Sequence, residues 1–537
     1  MYAGLIADTV LWTLLAGSIF WGWLNFKNSS AAGFSDRLTI SLVPLAIIVI
    51  LGLLVRQALL APFWDRNASR LVGIFSLKFG YKLYCEWGQG ALQSMNYPPL
   101  AALSFFPLLP FKSPTPALVC GDLLNAVFFF APALLILSAE SKRGGFLAQA
   151  VPLLAVFFFL TYESSPLKYS AFRIHADAPA LGFSAFAAYF LAKSFRSCTL
   201  RNLFLSSLFC VAAVWTKQNM LPLVMALPLA ILIGKGNRVF WKFLGCLGAV
   251  LALAVVITLT AFPYRALITN IFFLGKKPWT GPFGDVMVLE FVRLMQESIW
   301  FVAITVLIFS QKLFQGRESK TDAKTFIRNN NWLLFPFIGM AMIPVCLITR
   351  GKVGGDVNSF SPAVYFFALG AVSSLGAIAS EGKKEDKKSL GRVLTPALLV
   401  MFIITHGIPL SYFGFSSNIS QMSENPQETA YRYAKAHPGE TYFPWNPLSN
   451  LLAEGKLYHF EPAIIDWYLA GRPISRDFYE SFTPRNPSLI AFHQANEFNH
   501  KLTRQFYPSY LDAKLNDLPH WAVLIPPKIR PRFQRVK

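Results

Sequence analysis

Runs of about 20 apolar residues recur along this chain, and a run of that length can cross the hydrocarbon core of a bilayer as a helix. Hydrophobic residues make up 54% of the 537 positions and charged residues only 14%, well below the charged share of soluble domains. The sequence therefore predicts an all-α polytopic membrane protein with about twelve transmembrane helices. The predicted spans are 4–25, 38–58, 117–138, 146–162, 178–194, 203–217, 220–234, 242–262, 298–312, 332–349, 362–380 and 393–413.

Short basic loops indicate how these helices are oriented. Lys and Arg concentrate in cytoplasmic loops, and here alternate connections are basic. These connections contain Lys27, Arg37, Lys142, Arg143, Arg196, Arg201, Lys235, Arg238, Lys242, Lys312, Arg317, Lys320, Lys324, Arg328, Lys383, Lys384, Lys387, Lys388 and Arg392. Both ends of the chain then face outward, with the segments 59–116, 163–177, 263–297 and 350–361. The first span lacks a basic start, so we expect no removable signal peptide.

A polar tail, residues 414–537, follows the transmembrane module of residues 1–413. Alternating strand and helix signals predict a small extramembrane α/β domain in this tail. The predicted strands are 441–444, 457–460, 488–493 and 521–525, and the predicted helices are 447–454 and 462–470.

The net charge of +21 does not indicate nucleic acid as a partner. The basic residues lie in the short loops that set topology, and no basic helix is interleaved with aromatic residues that could stack on bases. The six cysteines do not indicate a disulfide framework or a cysteine metal site, because the tail contains none and five lie in or beside apolar segments.

The segment 64–110 is the most informative polar stretch. Asp65 directly follows the second span, and a plausible amphipathic helix comes next. Two motifs follow, Gly80-Tyr81-Lys82-Leu83-Tyr84 and Asn96-Tyr97-Pro98-Pro99-Leu100.

This pattern resembles the first outer loop of the GT-C superfamily of membrane glycosyltransferases, including bacterial enzymes similar to dolichyl-phosphate-mannose–protein mannosyltransferases. The resemblance implies a polyprenyl-phosphate-linked sugar as donor and an active site on the periplasmic or extracellular side of a membrane, which we expect to be a bacterial inner membrane. Arg66 stands where the family commonly has Glu, so the chain lacks a pair of adjacent carboxylates there. A divalent metal remains open as a cofactor. The matching positions are Asp65, Gly80, Leu83, Tyr84, Tyr97, Pro98, Pro99 and Leu100.

Asp65 is the candidate catalytic base. Transfer to a hydroxyl requires a base, and a carboxylate at a membrane boundary can be desolvated enough to raise its pKa. The alternative is that Asp65 caps a helix that starts near Ala68.

Asp177 is the second candidate, at the entrance of the fifth span beside Arg173 and His175. The resemblance implies a second acidic residue in this loop, which would orient the acceptor or hold a metal. Arg173 and His175 are candidates for the donor phosphate. The alternative is that Asp177 is a helix N-cap, with Pro179 in the first turn.

Basic residues in two further segments are also candidates for the donor phosphate. Lys217 lies in a T-K-Q turn that resembles bacterial GT-C sequences, and the alternative is a solvent-exposed turn. Arg350 and Lys352 lie on a glycine-rich outer loop, where backbone amides and cations could bind phosphate oxygens. The pattern from Lys352 to Asn358 also resembles GT-C members, although a loop with solvated charges fits as well.

The function that the sequence predicts is inverting transfer of one sugar from a polyprenyl-phosphate donor to a glycan, lipid or protein hydroxyl on the outer face. Tyr84, Tyr97 and Asn358 would shape the donor and acceptor sites. A multi-span transporter is the rival, although no two-half repeat or ion-coupling carboxylate within a span supports it. A non-catalytic binder of lipid-linked saccharide is the third possibility.

The predicted topology can be tested by cysteine labelling. We expect a membrane-impermeant thiol reagent to label Ser509→Cys in intact cells, and Ser389→Cys only after permeabilisation, because only the second lies in a basic loop. Each variant is made in a background without the six native cysteines. Equal labelling of both positions from outside would show that the twelve-span assignment is wrong.

Overall fold

The computed structural model of the protein describes residues 2–28, 33–140, 149–272, 276–318, 323–381, 390–493 and 500–527. Apolar runs form long helices because a helix satisfies every backbone hydrogen bond within its own segment. The helices of the first part of the chain are α1 (Tyr2–Asn28), α2 (Phe34–Leu60), α3 (Asp65–Lys78), α4 (Leu100–Leu103), α5 (Pro114–Glu140), α6 (Val151–Glu163), α7 (Ser165–Phe172), α8 (Asp177–Arg196), α9 (Leu200–Thr216), α10 (Leu223–Lys235), α11 (Asn237–Ala261), α12 (Tyr264–Phe272), α13 (Phe283–Glu318), α14 (Ala323–Asn329), α15 (Leu334–Arg350), α16 (Ser361–Glu381), α17 (Leu390–Phe402) and α18 (Ile408–Phe413).

Nine of the described helical segments are long and apolar enough to cross a membrane. They contain α1, α2, α5, α10, α11, α13, α15, α16 and the continuous run α17–α18. The other three predicted spans also fall on helices, but α6 and α9 are shorter and α8 is not among the nine. The all-α membrane architecture is therefore confirmed. The predicted basic loops at 142–143, 320 and 383–388, and the start of the span 146–162, lie outside the described residues.

Helix α13 begins at Phe283, well before the predicted span 298–312. Acidic and basic side chains lower the hydropathy of its first turns, so hydropathy did not predict this part of the helix. Within these turns Glu290 is buried, and its carboxylate pairs with Arg293 at 2.6 Å and Arg350 at 3.7 Å.

The centre of the bundle is α16, where 89% of the residues in the membrane-spanning stretch are buried. It packs against α5, α6, α13, α15 and α17. Its small residues allow this, because small side chains let neighbouring helices approach closely. Helices α5 and α8 touch through their backbones, since a Cβ atom on Gly182 would lie 2.3 Å from the Phe128 carbonyl oxygen.

The polar tail folds on a small four-stranded sheet. The remaining elements are α19 (Ser416–Gln421), α20 (Pro426–Ala436), α21 (Pro447–Glu454), α22 (Glu461–Leu469), α23 (Arg476–Ser481), α24 (His500–Phe506), β1 (Thr441–Tyr442), β2 (Leu489–His493), β3 (Leu511–Ala513) and β4 (Trp521–Ile525). The strand order is β1-β2-β4-β3. Strand β1 pairs parallel to β2, and β4 pairs antiparallel to both β2 and β3.

The predicted strand 457–460 is wrong, and β3 was not predicted. The backbone of 457–460 bonds to loops, with Phe460 N–H donating to the Leu92 carbonyl at 2.9 Å and His459 N–H to the Phe482 carbonyl at 3.0 Å. The segment therefore connects the tail to the loop after α3. The tail also packs directly on α3, because Leu448 and Leu451 of α21 share a hydrophobic core with that helix.

Candidate active site

A buried carboxylate, Asp177, lies at the centre of the site. It is the first residue of α8 and has no exposed surface. Lys217 forms an ion pair with Oδ1, and the Asn358 amide donates to Oδ2 at 2.6 Å. His175 Nδ1 lies 2.5 Å from Oδ2. Three chain segments therefore converge on one carboxylate. The alternative that Asp177 is the N-cap residue is wrong, because Ala176 occupies that position.

His175 connects this carboxylate to Tyr97. Its Nε2 lies 3.1 Å from the Tyr97 hydroxyl. Burial lowers the pKa of His175 to about 4, although Asp177 acts in the opposite direction. The imidazole is therefore neutral near pH 7, with its proton on Nδ1 facing the carboxylate and Nε2 accepting from the Tyr97 hydroxyl.

Asp177 and Lys217 remain ionised as a pair. Burial alone would raise the pKa of Asp177, but Lys217 and His175 outweigh burial and hold the pKa below its ordinary value. The Lys217 ammonium is buried against this carboxylate. Lys217 is only 7% exposed, so the alternative of a solvent-exposed turn is wrong.

Two buried asparagines fix the backbone of the loop that carries His175. Asn67 Oδ1 accepts from the N–H of Ile174 at 3.1 Å. Asn125 Nδ2 donates to the carbonyl oxygens of Ser170, Ala171 and Arg173 at 2.9 to 3.0 Å. These bonds connect the loop between α7 and α8 to α3 and α5.

Tyr97 is held from the other side by Tyr84. The Tyr84 hydroxyl donates to the Tyr97 carbonyl oxygen at 2.6 Å, and Tyr84 is 2% exposed. Gln218, next to Lys217, donates to the neighbouring Asn96 carbonyl at 3.0 Å. Tyr84 therefore fixes the backbone of Tyr97 and does not line the cavity described next.

A cavity of about 340 Å³ opens beside this network. His175, Lys217 and Asn358 line it, and Asp177 lies behind them. Its other polar and charged lining residues are Arg66, Arg70, Asn96, Tyr97, Tyr169, Gln218, Asn219, Lys277, Thr349, Lys352, Asp356 and Ser359. Five cationic side chains against one lining carboxylate, Asp356, make this cavity suited to an anion.

Two paired loops form one wall of the cavity. Val353 N–H donates to the Pro278 carbonyl at 3.0 Å, and Trp279 and Lys352 form an isolated antiparallel bridge. A Cβ atom on Gly355 would lie 2.5 Å from the carbonyl oxygen of Arg350, so this turn requires glycine. Lys277 of the same wall forms a 2.5 Å ion pair with Asp466 of the tail.

Asp65 is the first residue of α3 and is half-buried. Its Oδ1 accepts from the N–H of Arg66 at 2.8 Å, and Trp64 is the N-cap residue. The helix therefore begins at Asp65 and not near Ala68. Asp65 is not among the lining residues, but Arg66 and Arg70 of the same helix are.

Arg173 and Arg350 lie outside the lining of the cavity. The Arg173 guanidinium lies over the Trp64 ring, and burial lowers its pKa to about 10 against the opposing effects of Tyr169, Asp122 and Asp65. Arg350 donates to the Gly355 carbonyl at 2.8 Å and pairs with Glu290. Both arginines hold loops that border the site.

Four charged residues at or near the site were not among the predicted site residues. Arg66 and Arg70 are four residues apart on an amphipathic helix, and that spacing places them on one face. Lys277 belongs to the outer segment 263–297, where basic and aromatic residues together are typical of the headgroup interface, and the tertiary structure brings it to the cavity. Asp122 lies within the predicted span 117–138 and is 1% exposed in α5, so this span contains a buried carboxylate.

Within the described ranges, no group of three or more His, Cys, Asp and Glu side chains could hold a metal ion. The partners of Asp177 are a lysine, an amide and a histidine.

The backbone resembles a solved structure, that of ArnT from Cupriavidus metallidurans bound to undecaprenyl phosphate. The TM-score is 0.51 at 12% identity, covering 88% of this chain and 97% of that one. ArnT is a GT-C family glycosyltransferase. The chain has the GT-C fold. The apo structure of the same ArnT gives a TM-score of 0.48 at 13% identity, with the same coverage. No protein-family model matches the chain, and no curated protein matches it.

The buried ion pair predicts a specific pattern of stability. Asp177→Asn leaves the Lys217 ammonium buried without a counter-charge, and breaking such a pair typically costs about 3–5 kcal/mol. We expect a large fall in the melting temperature of Asp177→Asn in detergent, and partial recovery in the double variant Asp177→Asn/Lys217→Met. Asp285→Asn, an exposed first-turn carboxylate in α13, is the matched control. Wild-type stability of Asp177→Asn would contradict the buried pair.

Proposed function

We propose that this protein is an inverting glycosyltransferase that moves a hexosyl or pentosyl group from a polyprenyl-phosphate donor to a hydroxyl group at the predicted outer face. The observation that carries this proposal is the cation-lined cavity beside Asp177 in a chain with the GT-C fold. An acceptor that is a glycan, a lipid or a protein would fit the same chemistry.

The charges of the cavity support a phosphate ligand. Asp177 pairs with Lys217, and Asp466 pairs with Lys277. These two carboxylates therefore do not neutralise Arg66 and Arg70, whose positive charges face an anion that enters the cavity. Arginine presents a planar fork of N–H donors that suits phosphate oxygens. Cations fixed around the phosphate would stabilise the charge that develops on it as the sugar leaves.

The apolar border of the cavity supports a lipid-linked donor. Ile271 and Phe272 line the cavity from α12, and Phe272 is 67% exposed. Ile268 on the same helix is 50% exposed. A polyprenyl chain could therefore lie along this surface while its phosphate enters the cavity. The similar ArnT structure contains undecaprenyl phosphate.

In the proposed mechanism Asp65 removes the proton from the acceptor hydroxyl. The acceptor oxygen attacks the anomeric carbon, the bond from that carbon to the phosphate oxygen breaks, and the configuration inverts. Asp177 is the weaker candidate for the base, because Lys217 and His175 keep its pKa low. We assign Asp177 the role of holding Lys217 and His175 at the cavity wall.

The base assignment is tested by Asp65→Asn. Asparagine keeps the size of the side chain but cannot accept the proton, so we expect turnover to fall by roughly 10²- to 10⁴-fold with little change in melting temperature. The assay follows sugar release from a labelled polyprenyl-phosphate sugar by the purified protein in detergent. Asp285→Asn is the matched control and should keep full activity.

Full activity of Asp65→Asn would show that Asp65 is not the base. Loss of stability together with activity would give Asp65 a structural role and make Asp177 the better candidate. A transporter or a non-catalytic binder would release no sugar in this assay, whichever variant is used.

Phosphate recognition is tested by Arg70→Gln. Hydrogen bonds to charged groups contribute about 1.5–3 kcal/mol, so donor affinity should fall roughly ten- to hundred-fold. The measurement is equilibrium binding of a labelled polyprenyl-phosphate sugar to the purified protein. Arg265→Gln, on the exposed face of α12, is the control and should bind normally. Equal affinity of both variants and wild type would exclude Arg70 from the donor site.

A further inference from the structure

A second cluster of polar side chains lies where α2, α6 and α18 end on the same side of the bundle. The helix that contains α17 and α18 is interrupted by a π-helical turn, Ile403–Gly407. Such turns are rare and often mark functional sites, because they redirect side chains that an α-helix would leave on another face. This turn carries His406.

His406 is the centre of a contact network. Its Nε2 lies 2.8 Å from Glu163 Oε1, and its ring lies edge-to-face with Tyr162 at 4.7 Å. Gln57 of α2 donates to the Tyr162 hydroxyl at 2.6 Å. The Lys168 ammonium lies over the Tyr162 ring at 4.0 Å. Four elements thus contribute polar groups to one place, and none of these residues lines the cavity at Asp177.

Cations outnumber carboxylates in this cluster. The Arg56 guanidinium lies over the Phe413 ring at 5.6 Å. The pKa of Lys168 is lowered, mainly by burial and further by Arg173 and Arg56, while Glu163 opposes the shift. Arg56 and Lys168 therefore repel each other beside a single carboxylate, and an added anion would relieve that repulsion. Basic residues on a predicted outer face also run against the usual charge bias of membrane proteins.

An apolar strip adjoins the cluster. Leu51 and Val55 of α2 are 53% and 45% exposed, on the helix that carries Arg56. Ile404 and Ile408 are 54% and 60% exposed, on either side of His406. The two pairs of side chains lie on neighbouring elements, because α2 packs against α17, the π-helical turn and α18. An acyl chain could lie along this strip while a charged headgroup reaches the cations at its end.

We propose that Arg56, Lys168 and Gln57 form a binding site for the phosphate of an anionic phospholipid, separate from the cavity at Asp177. Arg56 and Lys168 provide the charge, the Gln57 amide donates a hydrogen bond, His406 holds the Glu163 carboxylate, and the strip holds the acyl chains. Basic clusters at membrane surfaces attract anionic headgroups in this way. This site does not depend on the proposed function, since an anionic lipid could bind whatever the cavity does.

The experiment is native mass spectrometry of the full chain, purified in detergent, with equal amounts of phosphatidylglycerol and phosphatidylcholine. Wild type should retain phosphatidylglycerol preferentially, and Arg56→Gln/Lys168→Gln should reduce that preference roughly ten- to thirty-fold, as expected for two lost basic contacts. The control Lys82→Gln/Arg265→Gln removes the same charge from exposed positions elsewhere on the predicted outer side and should keep the preference.

An unchanged preference in Arg56→Gln/Lys168→Gln, or an equal loss in the control, would overturn the proposal. Inorganic phosphate alone is the second arm. Stabilisation of wild type by phosphate equal to that by phosphatidylglycerol would show a site for free phosphate and not for a lipid. If the double variant does not fold, Arg56→Gln should still bind phosphatidylglycerol less than Arg56→Lys, which keeps the charge, and equal binding by the two would also overturn the proposal.

Discussion

The burial of one ion pair, Asp177 with Lys217, is the constraint on which the arrangement of the site depends. A charge removed from water is costly unless a partner and hydrogen bonds replace the lost solvation. Here the carboxylate receives Lys217 on one oxygen and Asn358 on the other, with His175 also next to it. Because Lys217 and Asn358 come from distant parts of the chain, the start of α8, the end of α9 and the turn before α16 must lie together for these contacts to form.

The rest of the site is built outward from this pair. Tyr97 reaches the network through His175, and Tyr84 fixes the backbone of Tyr97 in turn. The tail supports the same loops from the other side, since Leu92 bonds to Phe460 and Lys277 pairs with Asp466. The extramembrane domain is therefore part of the scaffold of the cavity.

Hydropathy predicted the membrane helices because lipid imposes one requirement, an apolar segment that satisfies its own backbone. Hydropathy did not predict the start of α13, because this part of the helix is charged. Glu290 can be buried there because Arg293 and Arg350 pair with its carboxylate. Strand prediction failed at 457–460 for a related reason. That segment has suitable side chains, but its backbone partners are loops at Leu92 and Phe482.

The membrane architecture, the small α/β tail and the candidates Asp65, Asp177 and Lys217 could all be predicted from the sequence. The architecture and the tail follow from the length of apolar runs and from turn residues. The three candidates follow from charges placed beside spans together with the resemblance to GT-C loop motifs. The folded molecule shows what the sequence did not: Asp177 and Lys217 are partners, Arg350 supports a loop, and Arg66, Arg70 and Lys277 line the cavity. The surroundings of a side chain are formed by segments that are far away in the chain, so the residues of its own segment do not specify them.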